Sequence, residues 1–450
     1  MGDLERKIFG TDGVRGRANQ YPMTPETVLK LAQAVAQEFQ KNPGNHGIVI
    51  GKDTRLSGYM VESALTAGFI SMGMNVFLVG PLPTPAISML TRSLRADLGV
   101  MISASHNPAE DNGLKFFGPD GFKLDDAVQD RIESYFKENK PSGLASPLNL
   151  GHARRIDDAQ GRYIEFVKNA FPKGLRLDGL KIVVDCANGG AYKVAPTVFW
   201  ELGAEVISIG NAPNGININQ NCGAMHPEFL IETLKAHQAD IGIALDGDAD
   251  RVIMVDEKGT LINGDFLLAA IATSWSQKNK LQKNGIISTI MSNLGLEHYL
   301  ASQGLHLVRT NVGDRYVSEY MRLHGYNVGG EQSGHIILGE AATTGDGLMA
   351  ALQVLALLVE DQKPASYLSS LFTPYPQILK NVKGVKKSSL KDSSVLSMIQ
   401  NLQDSLGNKG RLIVRPSGTE DVIRIMAEGE DPHMIEGFIV DLIEVLEEKR

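Results

Sequence analysis

One local pattern recurs along this chain and restricts its fold more than any other: a helical run, a glycine, two residues, then a β-rich run. It occurs at Gly73-Met-Asn-Val76, Gly203-Ala-Glu-Val206, Gly304-Leu-His-Leu307 and Gly325-Tyr-Asn-Val328. A glycine just past a helix end supplies the left-handed residue that closes the helix, and the chain then extends. Strands precede the helices too, at Gly47–Ile50, Lys181–Val184 and Ile286–Ile287. Strand, helix, strand at this spacing gives βαβ units and mixed, mainly parallel sheets. A chain of 450 residues exceeds what one core supports. The pattern therefore predicts three consecutive α/β domains of roughly a hundred residues each, as distant repeats of one unit.

The first helix is legible in detail. Thr24 caps it and Pro25 takes the first helical position, where a missing N–H costs nothing. Val28, Leu31, Ala32, Val35 and Phe39 then form one apolar stripe. After Pro364 the pattern changes. Asn381 to Lys391 is polar and lysine-rich, Gly410–Arg415 and Val422–Met426 read as paired strands, and Met434–Leu446 as an amphipathic helix. This is a smaller α+β domain. Boundaries follow at 1–155, 156–256, 257–370 and 371–450.

Composition excludes several classes. A net charge of −8 argues against a nucleic-acid partner. No run reaches the about 18 apolar residues of a membrane span. The charged start, Met-Gly-Asp-Leu-Glu-Arg, suits neither a signal peptide nor a myristoyl anchor. The only two cysteines, Cys186 and Cys222, make no disulfide framework, and Cys186 reads as a small buried hydrophobe. The chain reads as cytoplasmic.

Asp246-Gly-Asp248-Ala-Asp250-Arg251 follows the apolar run Ile241–Leu245. On an extended segment, alternate carboxylates point the same way, and three anions side by side require a cation. Hard oxygen ligands suit Mg²⁺, which leaves room for phosphate oxygens. A solvated acidic loop is the plainer alternative. An EF-hand fails because its sixth position holds Arg251 rather than glycine, and Val252–Val255 reads as another strand. The site is expected at the carboxyl end of a strand, where open α/β sheets hold ligands.

Three further segments carry chemistry. Ile102-Ser-Ala-Ser105-His106-Asn107-Pro108 leaves the apolar run Leu98–Ile102 as an exposed loop. It is either a hydrogen-bonded turn or a hydroxyl that carries phosphate beside a metal; no G-x-S-x-G elbow exists for acyl transfer. Arg415-Pro-Ser417-Gly418-Thr419 joins the two late strands. With Arg424 it offers guanidinium, hydroxyl and backbone N–H groups to an anion, unless it is a plain hairpin. Gly330-Glu331-Gln332-Ser333-Gly334-His335 can hydrogen-bond sugar hydroxyls, and its imidazole can shuttle a proton, although polar turns between glycines are common.

Together and in this order, with Phe9-Gly-Thr-Asp-Gly-Val-Arg-Gly16 and Asp111-Asn-Gly-Leu-Lys-Phe-Phe117, these segments resemble the α-D-phosphohexomutase superfamily over essentially the whole chain. Gln332, where the mannose and glucose mutases usually carry methionine, and the opening motif suit its glucosamine-phosphate branch. Asp421 departs from the family pattern, which has proline after Thr-Glu, and this bears on the rigidity of that loop. The resemblance implies four domains around a central cleft, in a monomer or homodimer. It implies that Ser105 is phosphorylated and that Mg²⁺ is held by Asp246, Asp248, Asp250 and the Ser105 phosphoryl group. It further implies interconversion of glucosamine 6-phosphate and glucosamine 1-phosphate through a 1,6-bisphosphate, feeding UDP-N-acetylglucosamine and bacterial cell-wall synthesis. Glucosamine or glucose 1,6-bisphosphate would act as activator.

Within that frame Arg15, Lys115 and Arg251 supply positive charge. Lys115 is the candidate general acid/base, its pKa lowered among other cations, with His335 second. Glu331 and Ser333 would read sugar hydroxyls, and Arg415, Ser417, Gly418, Thr419 and Arg424 would hold the second phosphate. Three alternatives stand beside this: a mannose or glucose phosphomutase, a Mg²⁺-dependent sugar phosphatase using Ser105, and a non-catalytic sugar-phosphate sensor. A dedicated second phosphate site argues against hydrolysis.

Overall fold

A computed structural model describes residues 7–10, 12–40, 44–138, 143–416 and 422–448. The first domain runs β1 (Val14–Arg17), α1 (Pro25–Phe39), β2 (Gly47–Lys52), α2 (Ser57–Ser71), β3 (Asn75–Pro81), α3 (Thr84–Ser93), β4 (Leu98–Ile102), β5 (Asp111–Phe117), α4 (Asp126–Lys137) and β6 (Ala153–Arg155). Its six-stranded sheet has the order β1-β5-β4-β2-β3-β6. The pairs β2/β3, β2/β4 and β3/β6 are parallel, whereas β4/β5 and β1/β5 are antiparallel. Helix α1 forms for the reasons its sequence gives. The Thr24 hydroxyl accepts from Thr27 N–H at 3.3 Å, and Val28, Leu31, Ala32 and Val35 are buried in the core over the sheet. Burying each of the larger aliphatic side chains contributes about 1.5–3 kcal/mol.

The second domain comprises α5 (Ala159–Lys168), β7 (Lys181–Asp185), α6 (Val194–Glu201), β8 (Glu205–Ile209), α7 (Glu228–His237), β9 (Ile241–Leu245), β10 (Val252–Asp256) and β11 (Leu261–Ile262). Its sheet order is β11-β10-β9-β7-β8. The third adds α8 (Gly264–Gln277), β12 (Gly285–Thr289), α9 (Leu294–Ser302), β13 (His306–Thr310), α10 (Asp314–His324), β14 (Val328–Gly330), β15 (Ile336–Leu338), α11 (Gly347–Glu360) and α12 (Ser366–Ser369), with sheet order β13-β12-β14-β15. Helices α8 and α11 are apolar and buried nearly all round, and they pack on each other. The four glycines of the recurring signature sit at φ +88, +107, +72 and +76, each just beyond its helix.

The C-terminal domain is β16 (Gln377–Lys383), α13 (Ser393–Leu406), β17 (Gly410–Pro416), β18 (Val422–Gly429) and α14 (Pro432–Glu447). Its three antiparallel strands, ordered β16-β18-β17, share one core with both helices. Strand β16 runs into the start of the lysine-rich stretch, at Asn381–Lys383, where only polarity was legible in the sequence. Its outward residues are exposed, and Val382 is its buried anchor. By contact density, residues 1–291 and 307–370 form one compact unit and residues 292–306 and 371–450 another.

All three large sheets are mixed, as expected, and their antiparallel pairs have a common use. The Ser105 segment joins β4 to β5, the Asp246 segment joins β9 to β10, and the Glu331 segment joins β14 to β15. In the C-terminal unit Arg415 and Arg424 lie on the antiparallel pair β17/β18. Each chemistry-bearing segment thus links consecutive antiparallel strands, not a strand to a crossover helix.

Candidate active site

The acidic segment is a tight turn, not an extended run. Ala249 has φ +55, and Ala249 N–H donates to Asp246 O at 3.0 Å. The carboxylates converge because the turn curls around them, which corrects the strand-alternation argument. Oxygens of Asp246, Asp248 and Asp250 lie within 4.8 Å of one another, and all three residues are buried. Backbone donors from other elements fix the turn: Thr84 N–H to Asp248 O at 2.8 Å, Gly190 N–H to Gly247 O at 2.8 Å, and Gly347 N–H to Ala249 O at 3.0 Å. A Cβ on Gly247 would stand 2.6 Å from Ser105 O, so only glycine lets this turn approach the serine loop.

Ser105 is 1% exposed, not the exposed loop hydroxyl that its sequence suggests. Its Oγ donates to Asp246 Oδ2 at 2.6 Å, its N–H donates to Ser103 Oγ at 2.9 Å, and its φ is +53. Burial and the carboxylates of Asp250 and Asp248 push the Asp246 carboxyl up to about 8.

Three cations surround the acids. Lys115 Nζ stands 2.7 Å from both Asp248 Oδ2 and Asp250 Oδ2. Burial opposes its charge, but Asp248, Asp250 and Asp12 outweigh it and hold the ammonium well above its ordinary range. The expected lowering is therefore reversed, because its neighbours are mostly anions. Arg15 pairs across the strands with Gly113, so it shares a sheet face with Lys115. The missing side chain of Gly113 leaves room, since a Cβ there would meet Arg15 Cγ at 3.0 Å. The Arg15 guanidinium donates to Asp12. Arg251 N–H donates to Asp246 Oδ1 at 3.2 Å, and its Nη1 lies 3.2 Å from His106 Nδ1. Burial, Arg251 and Arg15 push the His106 imidazole down to about 4.

His335 is buried, with Nδ1 3.7 Å from Asp250 Oδ1 and Nε2 3.2 Å from Asp314 Oδ2. Burial opposes its charge, but Asp314 and Asp250 raise its pKa. Glu331 Oε1 accepts from Gly313 N–H at 3.1 Å, and Val252 N–H donates to Gly334 O at 3.0 Å, tying the polar turn to the start of β10. Ser333 is exposed on that turn. Gln332, read as a mark of sugar type, donates through Nε2 to Asp265 Oδ2 at 3.1 Å.

Sequence reasoning missed the ions that tie these groups together. Lys123 bridges Asp12 and Asp314, at 2.6 Å from the latter, and both carboxylates are held down chiefly by that ammonium against the opposing effect of burial. An acid directly after Gly313 at a helix start was a visible signal, but it reads equally as a helix cap. Thr84 also went unnoticed; its hydroxyl donates to Asp248.

In the C-terminal unit Arg415 stands opposite Arg424 in the β17/β18 register. Burial and the Arg424 charge lower the Arg415 pKa. Ser417, Gly418, Thr419 and Asp421 lie outside the described residues.

The triad fits a hard divalent cation such as Mg²⁺. Asp248 Oδ1 and Asp250 Oδ1 are buried with no hydrogen-bond partner among the described residues, as are the donors Arg15 Nε and Arg251 Nε. Unused acceptors and unused donors side by side suit a cation together with an anionic group. Cys186 and Cys222 are buried, and burial pushes the Cys222 thiol up to about 12. Among the described residues no helix is long and apolar enough to cross a membrane.

Comparison with known proteins agrees along the length of the chain. The phosphoglucomutase/phosphomannomutase family matches by its alpha/beta/alpha domains I, II and III over residues 6–142, 161–259 and 263–375, and by its C-terminal domain over 374–445. The phosphoglucosamine mutase of Parvibaculum lavamentivorans is 58% identical over 444 residues, 99% of each chain. Among solved structures, a phosphoglucomutase/phosphomannomutase family protein from Burkholderia thailandensis superposes with TM-score 0.82 at 23% identity, covering 98% of this chain and 97% of that one. The N-acetylphosphoglucosamine mutase of Aspergillus fumigatus, in complex with GlcNAc-6P and magnesium, gives 0.65 at 18% identity over 94% and 99%. With all four domains matched in order and a relative this similar along its whole length, the chain belongs to the phosphoglucomutase/phosphomannomutase family, phosphohexomutases of the isomerase class.

Proposed function

We propose that the protein interconverts glucosamine 6-phosphate and glucosamine 1-phosphate, with Ser105 as phosphate carrier. Phosphoserine 105 gives its phosphoryl group to the free hydroxyl of the substrate, forming a 1,6-bisphosphate and the Ser105 hydroxyl. After the bisphosphate reorients, Ser105 Oγ takes the other phosphoryl group, releasing the isomeric monophosphate and restoring phosphoserine. One P–O bond forms as one breaks in each transfer, and the proton lost by the accepting hydroxyl is returned in the second. Glucosamine or glucose 1,6-bisphosphate would re-phosphorylate a protein that has lost its phosphate.

Asp246, Asp248, Asp250 and the phosphoryl group on Ser105 would hold Mg²⁺, which when bound offsets charge on the transferring group. Arg15 and Arg251 orient and neutralise phosphoryl oxygens through their unused N–H groups. Lys115, kept protonated by its carboxylates, serves as charge compensator and proton donor rather than as a base of lowered pKa. His335 is the second group able to hold a proton. Glu331 and Ser333 read sugar hydroxyls, while Arg415 and Arg424, with Ser417, Gly418 and Thr419, bind the phosphate that is not reacting.

The observation that supports this reading most is the coexistence, around the buried Ser105 hydroxyl, of carboxylate oxygens that accept no hydrogen bond and guanidinium Nε–H groups that donate none among the described residues. The glucosamine assignment rests on the relatives' stated activity. Gln332, committed to Asp265, would influence sugar choice through the shape of its turn. A coupled assay on glucosamine 6-phosphate, mannose 6-phosphate and glucose 6-phosphate tests it. The expected result is highest kcat/KM for the amino sugar; equal or greater kcat/KM for mannose or glucose phosphate would reassign the substrate.

A further inference from the structure

Ser105 occupies left-handed backbone, φ +53, which a residue with a side chain adopts only when its surroundings enforce it. Two buried side chains from different domains aim donors at the carbonyls of this turn. Arg55, between β2 and α2, donates through Nη2 to Ser105 O at 2.9 Å and Asn107 O at 2.8 Å. Its Nη1 donates to Asp111 O at 3.0 Å and to Pro108 O, and its Nε to Asp53 Oδ2 at 2.9 Å. Asn219, in the loop between β8 and α7, donates through Nδ2 to the same two carbonyls, Ser105 O at 2.9 Å and Asn107 O at 3.0 Å. Asp53 closes the arrangement: its Oδ2 also accepts from Ser103 Oγ at 2.6 Å, and Ser103 Oγ in turn accepts from Ser105 N–H.

We infer that Arg55 and Asn219 are positioning residues that lock the Ser105 peptide unit so that Oγ points at the acidic triad. The inference rests on the reading of Ser105 as phosphate carrier. Asn219 contributes a separate function, because it comes from the domain that carries Asp246. Its amide makes the direction of the serine side chain depend on registry between the serine loop and the acid-bearing domain. Phosphoryl transfer depends mostly on alignment, so loosening this peptide should slow transfer without weakening substrate binding.

Asn219 is the residue to change, since it too has positive φ, +56, and two substitutions preserve that backbone. Asn219→Asp is isosteric but presents an acceptor where the donor was. Asn219→Gly removes the donor without adding charge. Both variants should lower kcat on the order of tenfold to a hundredfold, with KM within about twofold, unchanged Mg²⁺ dependence and slower phosphorylation of Ser105 by glucose 1,6-bisphosphate. Parent-like kcat in Asn219→Gly overturns the inference, even if Asn219→Asp is impaired, because the effect would then be one of charge. A loss confined to KM, or one that follows melting temperature and disappears on cooling, also overturns it. Intact-mass analysis separates the two levels. If the parent protein acquires no phosphate from glucose 1,6-bisphosphate, the carrier reading fails. If it does and Asn219→Gly turns over normally, only the positioning role fails.

Discussion

The serine–aspartate centre and the C-terminal arginine pair hold charge in opposite ways. In the first, Asp246, Asp248 and Asp250 are almost wholly buried on a turn whose backbone is fixed from three other elements. The three carboxylates crowd one another there, and burial together with the Asp250 and Asp248 charges pushes the Asp246 carboxyl up to about 8. In the second, two guanidiniums face each other on neighbouring strands, partly accessible to solvent, and like charges at paired positions destabilise a sheet. One region calls for a cation, the other for an anion. Under the proposed function, a Mg²⁺-dependent enzyme acting on phosphate esters would use both, the buried centre for alignment and the arginine pair for capture.

That contrast predicts unequal consequences. The largest belongs to Ser105→Ala. Turnover should fall by at least about four orders of magnitude, the range reached when an enzymatic nucleophile is deleted. Intact-mass measurement should find one phosphate on the parent and none on the variant. Full activity in the variant would dissolve the difference between the two regions.

Asp248→Asn comes next. Losing one of three anionic ligands should weaken Mg²⁺ binding and lower kcat together, by on the order of a hundredfold. Titrating Mg²⁺ against activity and by calorimetry checks this, and an unchanged metal dependence would reduce the triad to a structural turn. Arg415→Ala should cost less. Removing a charge-assisted contact worth about 1.5–3 kcal/mol raises KM roughly tenfold to a hundredfold, with a smaller fall in kcat and more 1,6-bisphosphate released. Unaltered kinetics would take the arginine pair out of the reaction.

The smallest effect concerns stability rather than chemistry. Asp346 caps α11 and accepts from Tyr163 O–H at 2.9 Å, and burial raises its carboxyl to about 6. A carboxyl raised on folding stabilises below its unfolded pKa and loses that contribution as pH rises through the folded value. Asp346 should therefore cost on the order of 3 kcal/mol between pH about 4 and about 6. Asp346→Asn keeps a capping side chain and should flatten denaturation midpoints across that window; an unchanged slope would contradict the assignment.

How much of this was legible depended on range along the chain. The glycines after helices, the Thr24 cap and the late strand pair are encoded within a few residues of where they act. The four motifs were visible as unusual residues, and the structure places Ser105, Lys115, Arg251 and His335 around the triad. What failed was whatever depends on partners distant in sequence. Lys115 was read against neighbouring cations, whereas Asp248 and Asp250, more than a hundred residues on, set its charge. Arg55 and Lys123 carry no local mark of their roles, and Asp314 only one that reads equally as a helix cap, because carbonyls and charged groups from elsewhere in the chain define them. The three carboxylates do converge, but a turn with Ala249 at φ +55 brings them together and not strand alternation.

The central claim is that Ser105 lends its phosphate and takes one back. The direct test is to label Ser105 with ³²P from labelled glucose 1,6-bisphosphate, remove the excess, add Mg²⁺ and unlabelled glucosamine 6-phosphate, and follow the label through one turnover. It should leave the protein and appear first in a hexosamine 1,6-bisphosphate and then in hexosamine monophosphate, with little inorganic phosphate. Label that remains on the protein while isomerisation proceeds, or that emerges mainly as inorganic phosphate, would contradict the account.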